Sequence, residues 1–81
     1  MTNENIYDDF MLVIASLPDR ENCVCEVYYK RVQWVEISQE GTTMNIQFYP
    51  HPTEAYWEFP VDVALDMLQK AKRKFVFNER E

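Results

Sequence analysis

Residues 23–50 read CVCEVYYKRVQWVEISQEGTTMNIQFYP, and this segment carries most of the information about the fold. Apolar and polar residues alternate along it with a period of two, which is typical of half-buried β-strands. The alternation is interrupted near Lys30-Arg31 and again at residues 39–42, where Gly41, the lone glycine of the chain, supplies the positive φ that a tight hairpin turn requires. The segment therefore predicts three antiparallel strands joined as a meander. The inward row of the third strand is Met44, Ile46 and Phe48.

The segment before this meander predicts a helix over residues 4–17. Apolar residues recur there at steps of three and four, as expected for one face of a helix. They are Ile6, Phe10, Val13, Ile14 and Leu17. Thr2 or Asn3 is suited to cap the predicted helix, and Pro18 is suited to end it.

The segment after the meander predicts a short strand and a long helix. Pro50 and Pro52 end the third strand because neither can donate a ladder hydrogen bond. Residues 55–59 alternate again and predict a fourth strand, and Pro60 suits the first position of a helix. The apolar stripe of that helix comprises Val61, Ala64, Leu65, Leu68, Ala71 and Phe75. We expect an α+β fold in the order α-β-β-β-(β)-α, with both helices on one face of an antiparallel meander of three to four strands and with residues 78–81 frayed.

Length and composition predict one folded domain. The chain has 81 residues, of which 47% are apolar and 15% aromatic, enough for one compact core and too few for two. A single glycine excludes a glycine-rich phosphate-binding loop. Cys23 and Cys25, one residue apart, are expected to be reduced core thiols, because a small secreted scaffold normally carries more cysteines.

The charge of −6 is unevenly distributed along the sequence. Residues 1–60 contain ten acids and three bases, a net charge of −7, whereas residues 61–81 have a net charge of +1. An acidic body repels nucleic acid and anionic membranes and attracts basic proteins, although negative charge also serves solubility alone. The apolar run at residues 10–15 follows acids rather than bases, and no run reaches about 18 apolar residues. We therefore expect a cytoplasmic protein that binds neither nucleic acid nor membrane.

Residues that could carry chemistry are few and scattered. His51 is the only histidine and lies between two prolines, far in sequence from any serine that it could activate. Together with Cys23 and Cys25 it makes three soft metal ligands, whereas a closed zinc site needs four. The acid pairs Asp8 with Asp9 and Asp62 with Asp66 are expected on solvated helix faces. The sequence thus predicts no catalytic residue, no metal site and no cofactor, and we expect a protein that is not an enzyme.

A more suggestive set of residues alternates with the predicted core. If the helices cover one side of the sheet, large aromatic residues interleaved with acids fall on the other side. These residues are Glu26, Tyr28, Trp34, Glu36, Gln47 and Tyr49. Exposed tryptophan and tyrosine are enriched at binding hot spots, and neighbouring acids would select a basic partner. The alternative is that residues 50–59 or a second subunit cover this face.

Residues 32–74 resemble a group of small uncharacterised bacterial proteins, some of which are toxin-immunity proteins. The resemblance is carried by Trp34-Val-Glu-Ile-Ser-Gln-Glu, by Asn45-Ile-Gln-Phe-Tyr-Pro, by Trp57-Glu-Phe-Pro-Val-Asp and by the helix end Lys70-Ala-Lys-Arg-Lys. It implies an acidic cytoplasmic protein that blocks a cationic toxin domain, and it implies no catalytic residues. We therefore expect a non-enzymatic binding protein of the immunity or inhibitor type for a basic protein partner. The alternative is a small structural subunit or a homodimer.

Overall fold

The computed structural model of the chain describes residues 5–19 and 22–79. These residues form a short 3₁₀ turn, four strands and one helix, and every neighbouring pair of strands is antiparallel in the order β1-β2-β3-β4. The elements are the turn Ile6–Asp9, β1 Phe10–Ala15, β2 Val24–Tyr29, β3 Val32–Glu40, β4 Thr43–Phe48 and α1 Val61–Glu79. This architecture confirms the predicted α+β class and the central meander.

The predicted N-terminal helix is wrong. Only the turn Ile6–Asp9 is helical, and its cap is Asn5, whose side chain accepts a hydrogen bond from the N–H of Tyr7 at 3.0 Å. The next six residues, FMLVIA, form β1 and pair with β2 along their whole length. A continuous apolar run of strand length fits a buried strand as well as a helix, and here pairing with β2 decides between them. The predicted caps Thr2 and Asn3 lie outside the described residues.

The predicted strand at residues 55–59 is also wrong. These residues are bends and irregular backbone at one end of the sheet, where the indole Nε1 of Trp57 donates a hydrogen bond to the backbone carbonyl of Tyr49 at 2.8 Å. The side chain of Trp57 is therefore hydrogen-bonded to Tyr49, just after β4, while the backbone of Trp57 is not part of a β-strand.

The C-terminal helix is longer than its predicted apolar stripe, since α1 continues through Phe75 to Glu79. Residues 80 and 81 are not described.

The core lies between α1 and one face of the sheet. Helix α1 runs over β1, β2 and β3, and it contributes four buried residues spaced four apart. These are Val63, Met67, Ala71 and Phe75. They pack on Cys25, Val27, Val35 and Ile37 of the two central strands. Because one helix cannot span four strands, the row of β4 on the same side is only partly covered.

The tight turns differ in how well their residues suit them. Lys30 and Arg31, between β2 and β3, both have positive φ, at 49° and 72°. Gly41, between β3 and β4, has a φ of 60°, as its sequence position predicts. Positive φ costs a residue with a Cβ about 1–2 kcal/mol and costs glycine almost nothing.

Among the residues described, no helix is both long enough and apolar enough to cross a lipid bilayer.

Candidate functional site

The face of the sheet opposite α1 carries a row of polar side chains. Glu26 of β2 lies directly opposite Glu36 of β3, which in turn lies opposite Gln47 of β4. Their chain neighbours Val27 and Val35 are in the core, so the two glutamates point away from the helix. Tyr28 and Tyr49 flank this row. We call this surface the outer face and define it by Glu26, Tyr28, Glu36, Gln47 and Tyr49.

Tyrosine hydroxyls hold both outer-face carboxylates. The hydroxyl of Tyr28 donates to Oε1 of Glu26 at 3.0 Å, and that of Tyr49 donates to Oε1 of Glu36 at 2.9 Å. Glu36 is only 2% exposed, whereas Glu26 is half-buried. Like charges directly opposite one another on neighbouring strands destabilise a sheet by roughly 0.2–1 kcal/mol. The two hydroxyl bonds offset part of this cost, because hydrogen bonds to charged acceptors are the stronger ones.

The environment of Tyr28 keeps its hydroxyl protonated. Burial raises the pKa of Tyr28 above its usual value of 10.0, and the hydrogen bond to Glu26 raises it further. The charges of Glu26 and Glu36 add to the same shift of this pKa. Each effect disfavours the tyrosinate, since an anion would lose the hydrogen bond and face two carboxylates. Tyr28 therefore remains a hydrogen-bond donor at physiological pH.

Trp34, which was expected on the outer face, lies on the other side of the sheet. Val27 pairs with Val35 but Tyr28 pairs with Gln33, so β3 contains one extra residue at Trp34. Such a β-bulge shifts the alternation of side chains by one position. Trp34 is 6% exposed and packs among aromatic residues close to the start of α1. Its ring lies 4.8 Å from Phe59 and 5.9 Å from Phe10, measured between ring centroids.

His51 stabilises a loop. Its ring nitrogen Nδ1 accepts hydrogen bonds from the backbone N–H groups of Thr53 and Glu54, both at 3.1 Å. The imidazole also packs on Trp57, with 4.5 Å between the ring centroids. Nδ1 is therefore committed to fixing the chain between Pro50 and Pro60. An open hollow of about 400 Å³ beside this loop is lined largely by aromatic side chains.

Both cysteines are free thiols. Cys25 is fully buried in the core, and this burial raises the pKa of its thiol. Cys23 is half-buried at the start of β2. Within residues 5–19 and 22–79, no three His, Cys, Asp or Glu side chains are grouped so that they could hold a metal ion.

Sequence reasoning also did not place Met11 and Val13 of β1 on this side of the sheet. Val13 pairs with Glu26, and Met11 pairs with Tyr28 and is 53% exposed. Both were assigned to a helix, so neither was considered beside the outer face. Their position follows from the pairing of β1 with β2, and the sequence pattern of residues 4–17 does not reveal this pairing.

Comparison of the chain with protein families, with curated proteins and with solved structures gives no match. Function is therefore inferred from the side chains of the outer face.

Proposed function

We propose that this protein is a non-enzymatic binding domain that neutralises a basic protein partner, in the manner of an immunity or inhibitor protein, through the outer face. The observation that supports the proposal is the pair Glu26 and Glu36, placed directly opposite one another between Tyr28 and Tyr49. Acids set among tyrosines suit a basic partner, because tyrosine supplies contact area and carboxylates supply charge selectivity.

The arrangement of the two glutamates is costly to the isolated domain. They are like charges in direct opposition, and Glu36 is also withdrawn from water. A lysine or arginine of a partner that bonds the half-buried Glu26 would offset the repulsion and gain a charge-assisted hydrogen bond.

The overall charge supports the same kind of partner. Residues 1–60, which include the whole sheet, have a net charge of −7. A field of one sign accelerates the encounter with an oppositely charged protein and is weakened by salt. Association with the proposed partner is therefore expected to be fast and salt-sensitive.

The test uses the product of the gene adjacent to that of this protein, assayed by pull-down at low and high salt and then by calorimetric titration. We expect Glu26→Gln and Glu36→Gln to weaken binding about tenfold, equivalent to about 1.4 kcal/mol. Glu26→Gln should change the free energy of unfolding by less than about 1 kcal/mol, because it removes the cross-strand repulsion but also weakens the hydrogen bond from Tyr28.

Glu40→Gln is the matched control. It removes the same charge from an exposed position at the end of β3, away from the tyrosines. Its binding constant should stay close to that of the unmodified protein. Association that is absent, indifferent to salt, or weakened equally by Glu40→Gln would contradict the proposal.

A further inference from the structure

An open apolar groove runs between α1 and β4. It has a volume of about 440 Å³, and it exists because α1 lies over β1 to β3 and leaves the helix-side row of β4 uncovered. We call it the α1–β4 groove. Its lining is apolar except at the rim. The lining residues are Ile37, Met44, Ile46, Leu65 and Leu68, with Asn45, Gln69 and Lys72 at the rim.

The apolar surface exposed around this groove is large for so small a domain. Leu65 is 57% exposed, Ile46 40% and Met44 38%. Phe48 at the end of β4 and Val61 at the start of α1 extend the strip, at 62% and 71%. These five side chains form an exposed apolar strip, and the largest apolar patch of a monomer is often a functional surface.

We propose that the occupant is a second copy of this chain, with the two α1 helices packed antiparallel about a two-fold axis. Val61, Leu65, Leu68 and Val76 recur along the groove side of α1 at helical spacing. In an antiparallel pair centred near Leu68, Val61 lies near Val76 of the second copy. Leu65 then lies near the aliphatic stem of Lys72, which can cover it while its ammonium stays in water.

Charge complementarity selects the second copy and its direction. Helix α1 carries Asp62 in its first turn and Lys72, Arg73 and Lys74 in its second half. An antiparallel arrangement places the acidic start of each helix beside the basic part of the other, whereas a parallel arrangement places like charges together. Asp62 and Arg73 are both exposed residues of α1, each one position after a residue of its groove side, Val61 and Lys72.

This interface is separate from the outer face, because the two lie on opposite sides of the sheet. The dimer therefore leaves both outer faces open, and its existence does not depend on the proposed function. Loss of dimerisation and loss of partner binding are thus distinguishable in the variants below.

The first test is sedimentation velocity of the whole chain over a wide range of concentration. We expect a reversible monomer–dimer equilibrium, which Leu65→Gln weakens at least tenfold. Tyr56→Gln is the matched control, since Tyr56 is 70% exposed but lies in the loop before α1. It should leave the dissociation constant unchanged, with the helical circular dichroism of both variants retained. A monomer at every concentration, or equal effects of both variants, would overturn the proposal.

The second test exchanges charges across the proposed interface. Asp62→Lys and Arg73→Glu should each weaken the dimer severalfold, because each replaces two attractions per dimer with two repulsions. The two changes combined in one chain should restore dimerisation close to that of the unmodified protein. Additive weakening in the double variant would exclude the antiparallel helix pair. A monomer whose groove binds an acidic peptide instead would assign the groove to another protein.

Discussion

The two tyrosine–glutamate hydrogen bonds of the outer face depend on different parts of the fold. Tyr28 bonds Glu26 two residues before it on the same strand, so this contact forms wherever β2 is extended. Tyr49 bonds Glu36 from beyond the end of β4, so that contact requires the whole hairpin. The half-buried glutamate is thus held locally and the buried one by tertiary structure.

The pKa of Tyr28 provides a prediction on pH. Because folding raises this pKa above the unfolded value of 10.0, the stability that the protonated hydroxyl contributes is fully present below pH 10 and is lost as the pH rises through the raised pKa. Glu26→Gln removes one of the charges that raise it, so the pKa should fall towards 10.0. Nuclear magnetic resonance titration of the Tyr28 ring measures this change. An unchanged pKa in Glu26→Gln, or an equal fall in Glu40→Gln, would contradict it.

The two hairpin turns of the meander differ in strain. Arg31 and Gly41 both adopt positive φ, but only glycine does so without steric cost. A Cβ at Gly41 would meet no atom within 4 Å, so any cost there is conformational. The β2–β3 turn is therefore a strained connection within an otherwise regular sheet.

Opposite substitutions at these two turns should have opposite effects. We expect Arg31→Gly to raise the free energy of unfolding by about 1 kcal/mol, because it relieves a left-handed conformation. Gly41→Ala should lower it by about the same amount. Urea denaturation followed by circular dichroism measures both. Destabilisation by Arg31→Gly would show that its side chain stabilises the turn by more than the strain costs.

The elements also show where sequence reasoning succeeds. Period-two alternation located β2, β3 and β4, and it placed Glu26, Tyr28, Glu36 and Gln47 on the correct side of the sheet. Two features were predicted wrongly, because each depends on pairing between separate segments of the chain. The run FMLVIA is compatible with a helix until β2 pairs with it, and Trp34 points outward until the bulge adds a residue to β3. Neither cause is visible in local periodicity.

Over residues 5–19 and 22–79, the molecule is a four-stranded sheet covered by a single helix. The core beneath α1 is complete around Phe75 and Cys25, both fully buried, while the side towards β4 stays open. The position of α1 therefore explains both features: it completes the core over β1 to β3, and it leaves the groove beside β4 open. A second helix, as first expected from residues 4–17, would have been available to cover the rest of the sheet.

Thiol labelling should report the opening of this core. The pKa of the Cys25 thiol is raised by burial and its side chain is inaccessible, so a thiol reagent should label Cys23 in the native protein and spare Cys25. Along a urea series, labelling of Cys25 should follow the same midpoint as the loss of circular dichroism. Mass spectrometry distinguishes the two sites, and Cys23→Ser serves as the control. Equal labelling of both cysteines in the native state would contradict the structure.

Tyr49 connects the outer face to the loop that precedes α1. Its hydroxyl donates to Glu36 on the outer face, and its carbonyl accepts the indole N–H of Trp57 on the loop. Trp57 is thus linked to the outer face through a single residue. The other tryptophan, Trp34, is buried in the same aromatic group, so almost all ultraviolet emission comes from this end of the sheet. We therefore expect binding of the proposed partner at the outer face to change the tryptophan fluorescence, which would report its occupancy without an attached dye.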